Sequence, residues 1–492
     1  MPNLPQPGRR IQQKANGTQR IIVECKNLLN RMKIKLNQIA ITLSAAVAFT
    51  ACKTTNSRLV GMDNIHTSRA TMQSLTPLAP RGMVYVPAGT IVEKEDNKDT
   101  SVVKTAPKVV TVSAFFMDQT EVTNKQYRTF VDWVADSVVV TDYLKDEKYF
   151  QKVKKAPVAK LAKSKAKVAE VGAPMFIDST KRIDWTKVGN MREPLWKTAD
   201  PAIKGLLYGK LYTMINGKPS LIPGAVVYRY DRSSVDRNGA SKYITDTVSV
   251  VPAAKVWSND FPNSQMEVMD NNYSTNIGYD EYPIVGVNWK QARAYTNWRS
   301  KMINATTSEV SLVRMYNLQY NLPTEAQWEY AASKDMKPDD FDKLSTVNIK
   351  TREGRKTKKE AALGVNFKQQ EGDYRKDGGT YTMHVKSYAP NSLGLYNMMG
   401  NVAEWTLDAF SPSYRELVHD LNPVLLYDAA DTESEAMRRK VVRGGSWKDN
   451  ADLLTPSTRA YEIQNVGHSY IGFRCVMQAP DVVLEQTKTR KQ

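Results

Sequence analysis

Three times along this chain of 492 residues, a Thr or Asn is followed three positions later by Gln, at the head of an apolar stripe. In Thr123-Asn124-Lys125-Gln126 the threonine can accept from the backbone N–H three residues on while Gln126 reaches back, and Tyr127, Phe130, Val131 and Val134 then recur at helical spacing. Asn288-Trp289-Lys290-Gln291 opens a helix with Ala292, Tyr295 and Trp298 on one side. Thr324-Glu325-Ala326-Gln327 opens another, bearing Trp328 and Ala331. Extended runs at Met83–Thr90 and Thr111–Asp118 precede the first of these helices. A hydrophobic fraction of 41% with nine tryptophans supplies a packed core and argues against global disorder.

The first fifty residues read as an export signal. Arg31, Lys33 and Lys35 precede an apolar run from Ile39 to Ala51 that is too short to span a bilayer and ends in Phe49-Thr50-Ala51-Cys52. That ending resembles a bacterial lipobox, which implies acylation of Cys52 as the first mature residue. Met32 lies where such a signal would begin, so residues 1–31, with Cys25, are read as an over-called start within a 1–51 leader. Removing 1–51 takes eight basic and one acidic residue from 69 and 51, which leaves a net charge of +11. Residues 52–80, polar and Ser/Thr-rich, read as a tether, and 481–492 as a polar tail.

Cys475 is then the one remaining thiol and cannot form an internal bridge. Its alternating run Ile471–Val476 reads as a strand that buries it. His66, His384, His419 and His468 lack the i, i+4 spacing of a zinc protease, and there is no P-loop or dinucleotide fingerprint. Export excludes nucleic acid as a partner of the basic segments.

Taken in order, six blocks carry more than their separate helix and strand signals. They are Tyr85–Gly89, Met117–Asn124, Tyr282–Trp289, Leu322–Glu329, Asn391–Val402 and the loop Val442-Arg443-Gly444-Gly445-Ser446-Trp447-Lys448-Asp449 with Gly472-Phe473-Arg474-Cys475. Together they resemble the formylglycine-generating enzymes and their relatives, which implies an α+β fold related to C-type lectins over 81–480. Active members carry a reactive cysteine three positions after the serine of the last loop and a second five further on. Here those positions hold Asp449 and Leu454. A carboxylate and an isobutyl group supply no thiolate for copper(I) or thiol exchange, so no copper and no catalytic residue are expected. Asp449 reads as a hydrogen-bonding group, with a general base as its alternative.

The resemblance also implies structural calcium. Asn397, Gly400, Val402 and Glu404 match one ligand set, and Asn366 and Asp377 match side-chain ligands of a second. Amide, carboxylate and carbonyl oxygens suit that ion. On the residues alone, Asn397 and Asn401 can equally cap turns, with Glu404 facing solvent or an Arg.

A segment at 137–280 stands where compact members have a shorter connection, and reads as a large insertion. Closure entropy grows slowly with loop length, so its removal is expected to leave the domain folded. Lys154, Lys155, Lys163 and Lys165 lie in an Ala/Val-rich stretch compatible with a cationic helix, either a solvated face or a contact for an acidic protein or lipid A phosphates. A second basic segment spans Lys350–Lys359. The run Trp257–Pro283 with the lipobox resembles the gliding-motility and type IX secretion lipoproteins of Bacteroidetes, the K-type ring component most closely. That implies a non-catalytic, lipid-anchored subunit on the periplasmic face of the outer membrane, in a ring formed by self-association and a partner subunit. An enzyme of the same fold using other residues, and a lectin-like binding module, are the alternatives.

Overall fold

The computed structural model describes residues 79–93, 107–152, 181–188, 194–198, 200–235, 241–306, 318–334, 346–353, 356–369, 372 and 374–479. All belong to one compact unit, Arg58–Gln492. Met32, Cys52, the 52–78 part of the tether, Lys154, Lys155, Lys163, Lys165 and the 481–492 tail lie outside the described residues. Among the described residues, no helix is long and apolar enough to cross a membrane.

Strands β1 (Met83–Val86), β2 (Gly89–Glu93), β3 (Lys108–Val112) and β4 (Phe115–Asp118) open the domain. Helix α1 (Asn124–Val138) follows and continues as a π-helical turn, Val139–Leu144. The middle of the chain holds hairpins β5 (Phe150–Lys152) with β6 (Lys181–Ile183), β7 (Tyr212–Ile215) with β8 (Lys218–Leu221), and β9 (Val227–Val235) with β10 (Ser241–Ser249). Short helices α2 (Pro201–Leu207), α3 (Val256–Asp260) and α4 (Glu267–Asn272) lie among them, before α5 (Trp289–Thr306), β11 (Tyr320–Asn321) and α6 (Glu325–Ala332). The basic 350–359 segment forms a hairpin, β12 (Thr346–Glu353) with β13 (Lys356–Leu363), whose register sets Lys350 opposite Lys359. The chain closes with β14 (Ala403–Ala409), α7 (Tyr414–Leu417), β15 (Arg439–Arg443), β16 (Ala460–Ile463), β17 (Ile471–Gly472) and β18 (Val476–Gln478).

Two four-stranded sheets organise these elements, in the orders β1-β4-β18-β11 and β16-β15-β14-β17. The run around Cys475 is therefore not one strand. Ile471–Gly472 pairs with β14 in the second sheet and Val476–Gln478 with β4 in the first, and the chain crosses between them at Phe473-Arg474-Cys475. Cys475 is buried at that crossing, and burial pushes its thiol pKa well up.

All three capping boxes form. Thr123 accepts from Gln126 N and Thr324 from Gln327 N, each glutamine returning the bond, and Asn288 exchanges the same pair with Gln291 at 2.9 Å each way. Two backbone donors are satisfied at each helix start, which fixes where α1, α5 and α6 begin. Phe130, Tyr295 and Trp298 then meet across α1 and α5, with Tyr127 stacked on Tyr295 at 5.7 Å.

The middle segment packs into the body of the domain. Trp196, Tyr212, Tyr228, Tyr230, Val248 and Val250 are buried in the same apolar cluster as Phe130, Trp298 and Trp405. Tyr127 donates its hydroxyl to Val250 O at 3.0 Å, and Asp136 accepts from the N–H groups of Leu195 and Trp196, both at 2.9 Å. Arg232 of β9 pairs with Asp428 of the closing part of the chain. The segment therefore supplies part of the common core and is built into the domain, not looped out from it. Its nominal start at 137 falls inside α1.

Candidate functional site

The signature loop leaves β15 at Arg443 and turns through Gly444 and Gly445, with φ of 94° and 65°. Side chains are excluded at both positions, because a Cβ would lie 2.9 Å from Met398 O at Gly444 and 2.9 Å from Leu454 Cδ2 at Gly445. Leu454, at the position that the resemblance assigns to a second cysteine, is fully buried under the loop. Asp449 turns back on the loop. Its Oδ2 accepts from Ser446 N at 2.9 Å and Ser446 Oγ at 2.6 Å, and its Oδ1 pairs with Lys448 Nζ at 2.8 Å. Its backbone also closes the turn, donating to Ser446 O and accepting from Lys368 N, each at 3.0 Å. The carboxylate thus acts as a turn cap, in keeping with its hydrogen-bonding reading.

Trp447 points the other way, into an aromatic box. It stacks on Trp257 at 5.7 Å and meets Phe261, Tyr381 and Tyr374 at 5.1, 5.5 and 6.0 Å. Trp257 and Phe261 belong to α3 and its C-cap, so the end of the middle segment covers one side of the loop. A polar clamp holds it there. Asp260 Oδ1 lies 2.8 Å from His468 Nδ1, and its Oδ2 accepts from Ser469 N and Oγ at 2.6 and 2.7 Å. Burial alone would lower the pKa of His468, but hydrogen bonds and charge from Asp260 and Glu462 outweigh it and raise the value to about 9. The Trp, Phe and Tyr group of this segment is packed into a local core.

The six positions matched to calcium sites are engaged by other groups of the same chain. Asn397, Gly400 and Asn401 all have positive φ, and a Cβ on Gly400 would lie 2.4 Å from Asn366 O. That close approach brings the 397–404 loop onto the backbone at Asn366. Val402 is buried against the aromatic box. Asp377 accepts from Phe367 N and Gly379 N at 2.8 and 3.0 Å, and Asn366 donates to Tyr381 O and Asn401 Oδ1. Glu404 does not fit a calcium ion in this arrangement. Arg474 reaches both carboxylate oxygens from Nε and Nη2 at 2.7–2.9 Å, and Trp328 Nε1 takes the remaining direction on Oε2 at 2.8 Å. A carboxylate offers about four acceptor positions, and these bonds fill them with a cation already in place.

Asn401 and Glu121 are the residues that sequence reasoning undervalued. Asn401 donates its amide to Glu121 Oε1 at 2.8 Å, accepts from Met383 N at 2.8 Å, and bonds Asn366 O and Trp447 N through its backbone. It ties four loops together. Glu121 is fully buried, and burial, stronger than the opposing pull of Arg474, raises its pKa to about 7. Both residues sit inside the sequence blocks, Glu121 in Met117–Asn124 and Asn401 in Asn391–Val402, and that placement was the available signal.

A family model for the sulfatase-modifying factor enzyme 1-like domain matches residues 68–479. The chain belongs to this formylglycine-generating-enzyme family. Inactive C-alpha-formylglycine-generating enzyme 2 of Bos taurus is 29% identical over 208 residues, covering 40% of this chain and 51% of that protein. The formylglycine-generating enzyme of Thermomonospora curvata is 28% identical over 232 residues, covering 46% and 65%. Serine/threonine-protein kinase pkn1 of Chlamydia pneumoniae is 30% identical over 202 residues, covering 40% and 24%. The chain therefore spans between 24% and 65% of the length of these relatives. Among solved structures, PvdO from Pseudomonas aeruginosa is similar over 82% of this chain and 95% of its own, with 14% identity and a TM-score of 0.37. The family holds both enzymes and a relative named as inactive, so membership alone does not decide catalysis. The loop chemistry bears on it directly: at the two positions that the resemblance assigns to the thiols of active members, this family member has a hydrogen-bonded carboxylate and a buried isobutyl group.

Proposed function

We propose that this protein is a non-catalytic, lipid-anchored structural subunit of a periplasmic ring of the type IX secretion and gliding machinery, held at the outer membrane by acylated Cys52. The observation that carries the non-catalytic part is the fate of the two sulfur positions. Asp449 is engaged as a turn cap and Leu454 is packed under Gly445, so neither position presents a group to a substrate. The anchor rests on Phe49-Thr50-Ala51-Cys52, and the absence of acidic residues in Lys53–Arg58 supports the periplasmic face. The ring and its partner subunit rest on the order of the sequence blocks and on the run Trp257–Pro283, by resemblance to the gliding lipoproteins.

A closed ring needs two different complementary patches on each copy, and acyl anchoring presents every copy in one orientation, which lowers the cost of assembly. The direct test is the size and mass of the complex extracted gently from outer membranes. A high-mass assembly containing a second protein is the expected result. A lone monomer overturns the ring reading, and copper or oxygen consumption in the purified protein overturns the non-catalytic one.

A further inference from the structure

The hairpin β7–β8 and the helix α2 before it present a surface that the assembly reading does not use. From Pro201 to Tyr230 there is no acidic residue, while Lys204, Lys210, Lys218 and Arg229 are all exposed. The acids Asp200 and Asp231 bracket this stretch without entering it. Within it Tyr208, Met214 and Ile215 are 57%, 48% and 50% exposed, although the same segment buries Leu207, Leu211 and Tyr212 in the core. The segment thus contributes to the core, and these three side chains stand outside it.

Their placement is specific. Ile215 pairs with Lys218 across a two-residue turn, Asn216-Gly217, whose φ values of 51° and 75° mark a tight primed turn. Every residue from Met214 to Pro219 is exposed, so the apolar pair stands at the projecting tip of the hairpin. Tyr208 lies beside the hairpin base, its ring 5.9 Å from that of Tyr212. A projecting tip with two apolar side chains, an amphipathic tyrosine and flanking lysines matches what a bilayer interface takes up. The apolar pair enters the acyl boundary, the ring sits at headgroup level, and the ammonium groups meet anionic headgroups. A folded acidic protein would need a pocket shaped to this tip, whereas a bilayer deforms to it.

We propose that the α2–β7–β8 face docks on an anionic lipid surface, with Met214 and Ile215 inserted and Lys204, Lys210 and Lys218 at the headgroups. The proposal takes from the reading above only that the protein meets a membrane. Docking would add to the acyl anchor a second contact with the bilayer, made by the folded domain itself.

The test is hydrogen exchange on the full-length acylated protein reconstituted in vesicles of phosphatidylethanolamine and phosphatidylglycerol, and separately of phosphatidylcholine alone. Slower exchange of 208–219 on the anionic vesicles is expected. Met214→Asp with Ile215→Asp should abolish that slowing and leave exchange elsewhere in the domain unchanged, since both side chains are already outside the core. In flotation of the Cys52→Ala chain, the same double substitution should lower vesicle partition by about tenfold or more. Identical exchange of 208–219 on both vesicle types overturns the proposal. So does slowing that requires added polyglutamate and no vesicles, which would assign the face to an acidic polypeptide. Loss of acyl labelling with hairpin protection intact would sink the anchor alone and leave this docking standing.

Discussion

Arg474 clasps the carboxylate of Glu404 from two nitrogens inside the domain, 0% and 1% exposed at the side chains, and so ties the last crossing of the chain to β14 in the second sheet. Its other nitrogen donates to Asp118 O at 3.1 Å, so one side chain also reaches the first sheet. Removing one partner of such a pair leaves the other charged and buried. Glu404→Ala should therefore cost about 3–5 kcal/mol and lower the melting temperature equally in calcium and in chelator. A loss that appears only in calcium would restore Glu404 as a metal ligand. Paired apolar replacement, Glu404→Leu with Arg474→Met, should be much milder.

No conversion of a cysteine-containing sulfatase peptide to formylglycine is expected, with or without copper. Mass spectrometry of the peptide reads the aldehyde directly, and its detection would overturn the inactive reading. Asp449→Ala should not change that outcome but should loosen the loop, since Ser446 N and Oγ lose their acceptor.

His468 makes the clamp on α3 sensitive to pH in a defined direction. Its pKa of about 9 in the folded protein lies above its ordinary value, so the stabilisation is complete below about pH 6.5 and lost as pH rises through 9. Melting curves of His468→Gln should fall below wild type near pH 6 by on the order of 1 kcal/mol, after screening of a partly exposed group, and converge with it near pH 10. Parallel curves across that range would remove the clamp.

Replacing 141–278 by a short linker should unfold the domain, against the expectation from loop closure alone. Nine buried apolar side chains leave the shared core with that segment: Trp196, Leu207, Leu211, Tyr212, Val226, Tyr228, Tyr230, Val248 and Val250. At roughly 1.5–3 kcal/mol each, their loss is on the order of 10 kcal/mol, comparable with the whole stability of a typical domain. Circular dichroism and solubility of the deletion chain read the result, and a cooperative melt would refute it.

Cys52→Ala is expected to abolish acyl labelling and shift the protein away from the outer-membrane fraction. Normal acylation and fractionation of that variant would defeat the anchor.

What was legible in the sequence were features whose cause is local. The capping boxes at Thr123, Asn288 and Thr324 announce themselves within four residues, and the sulfur exchange at 449 and 454 is visible by position. The role of the middle segment was not legible, because Tyr228 and Val250 read as strand residues whether they face a private core or the common one. The Glu404 clasp was only an alternative, since a matched calcium position and an Arg partner 70 residues away use the same carboxylate. Asn401 was undervalued for a related reason. Its partners at 121, 366, 383 and 447 are remote in sequence and neighbours only in the finished fold.

The first sheet places β4, near the beginning of the domain, beside β18, near its end, with Cys475 N donating to Asp118 across 357 positions. A growing chain cannot make that pairing until residues 475–478 have been synthesised. Until then β4, whose Asp118 holds the buried Arg299 of α5, has β1 on one flank and the other flank bare. Contacts so distant in sequence are slow to form, and an unpaired apolar strand is the surface that misassembles while it waits. The same topology that seals the finished domain thus leaves β4 open on one side until β18 arrives, and makes that arrival the step that closes the first sheet.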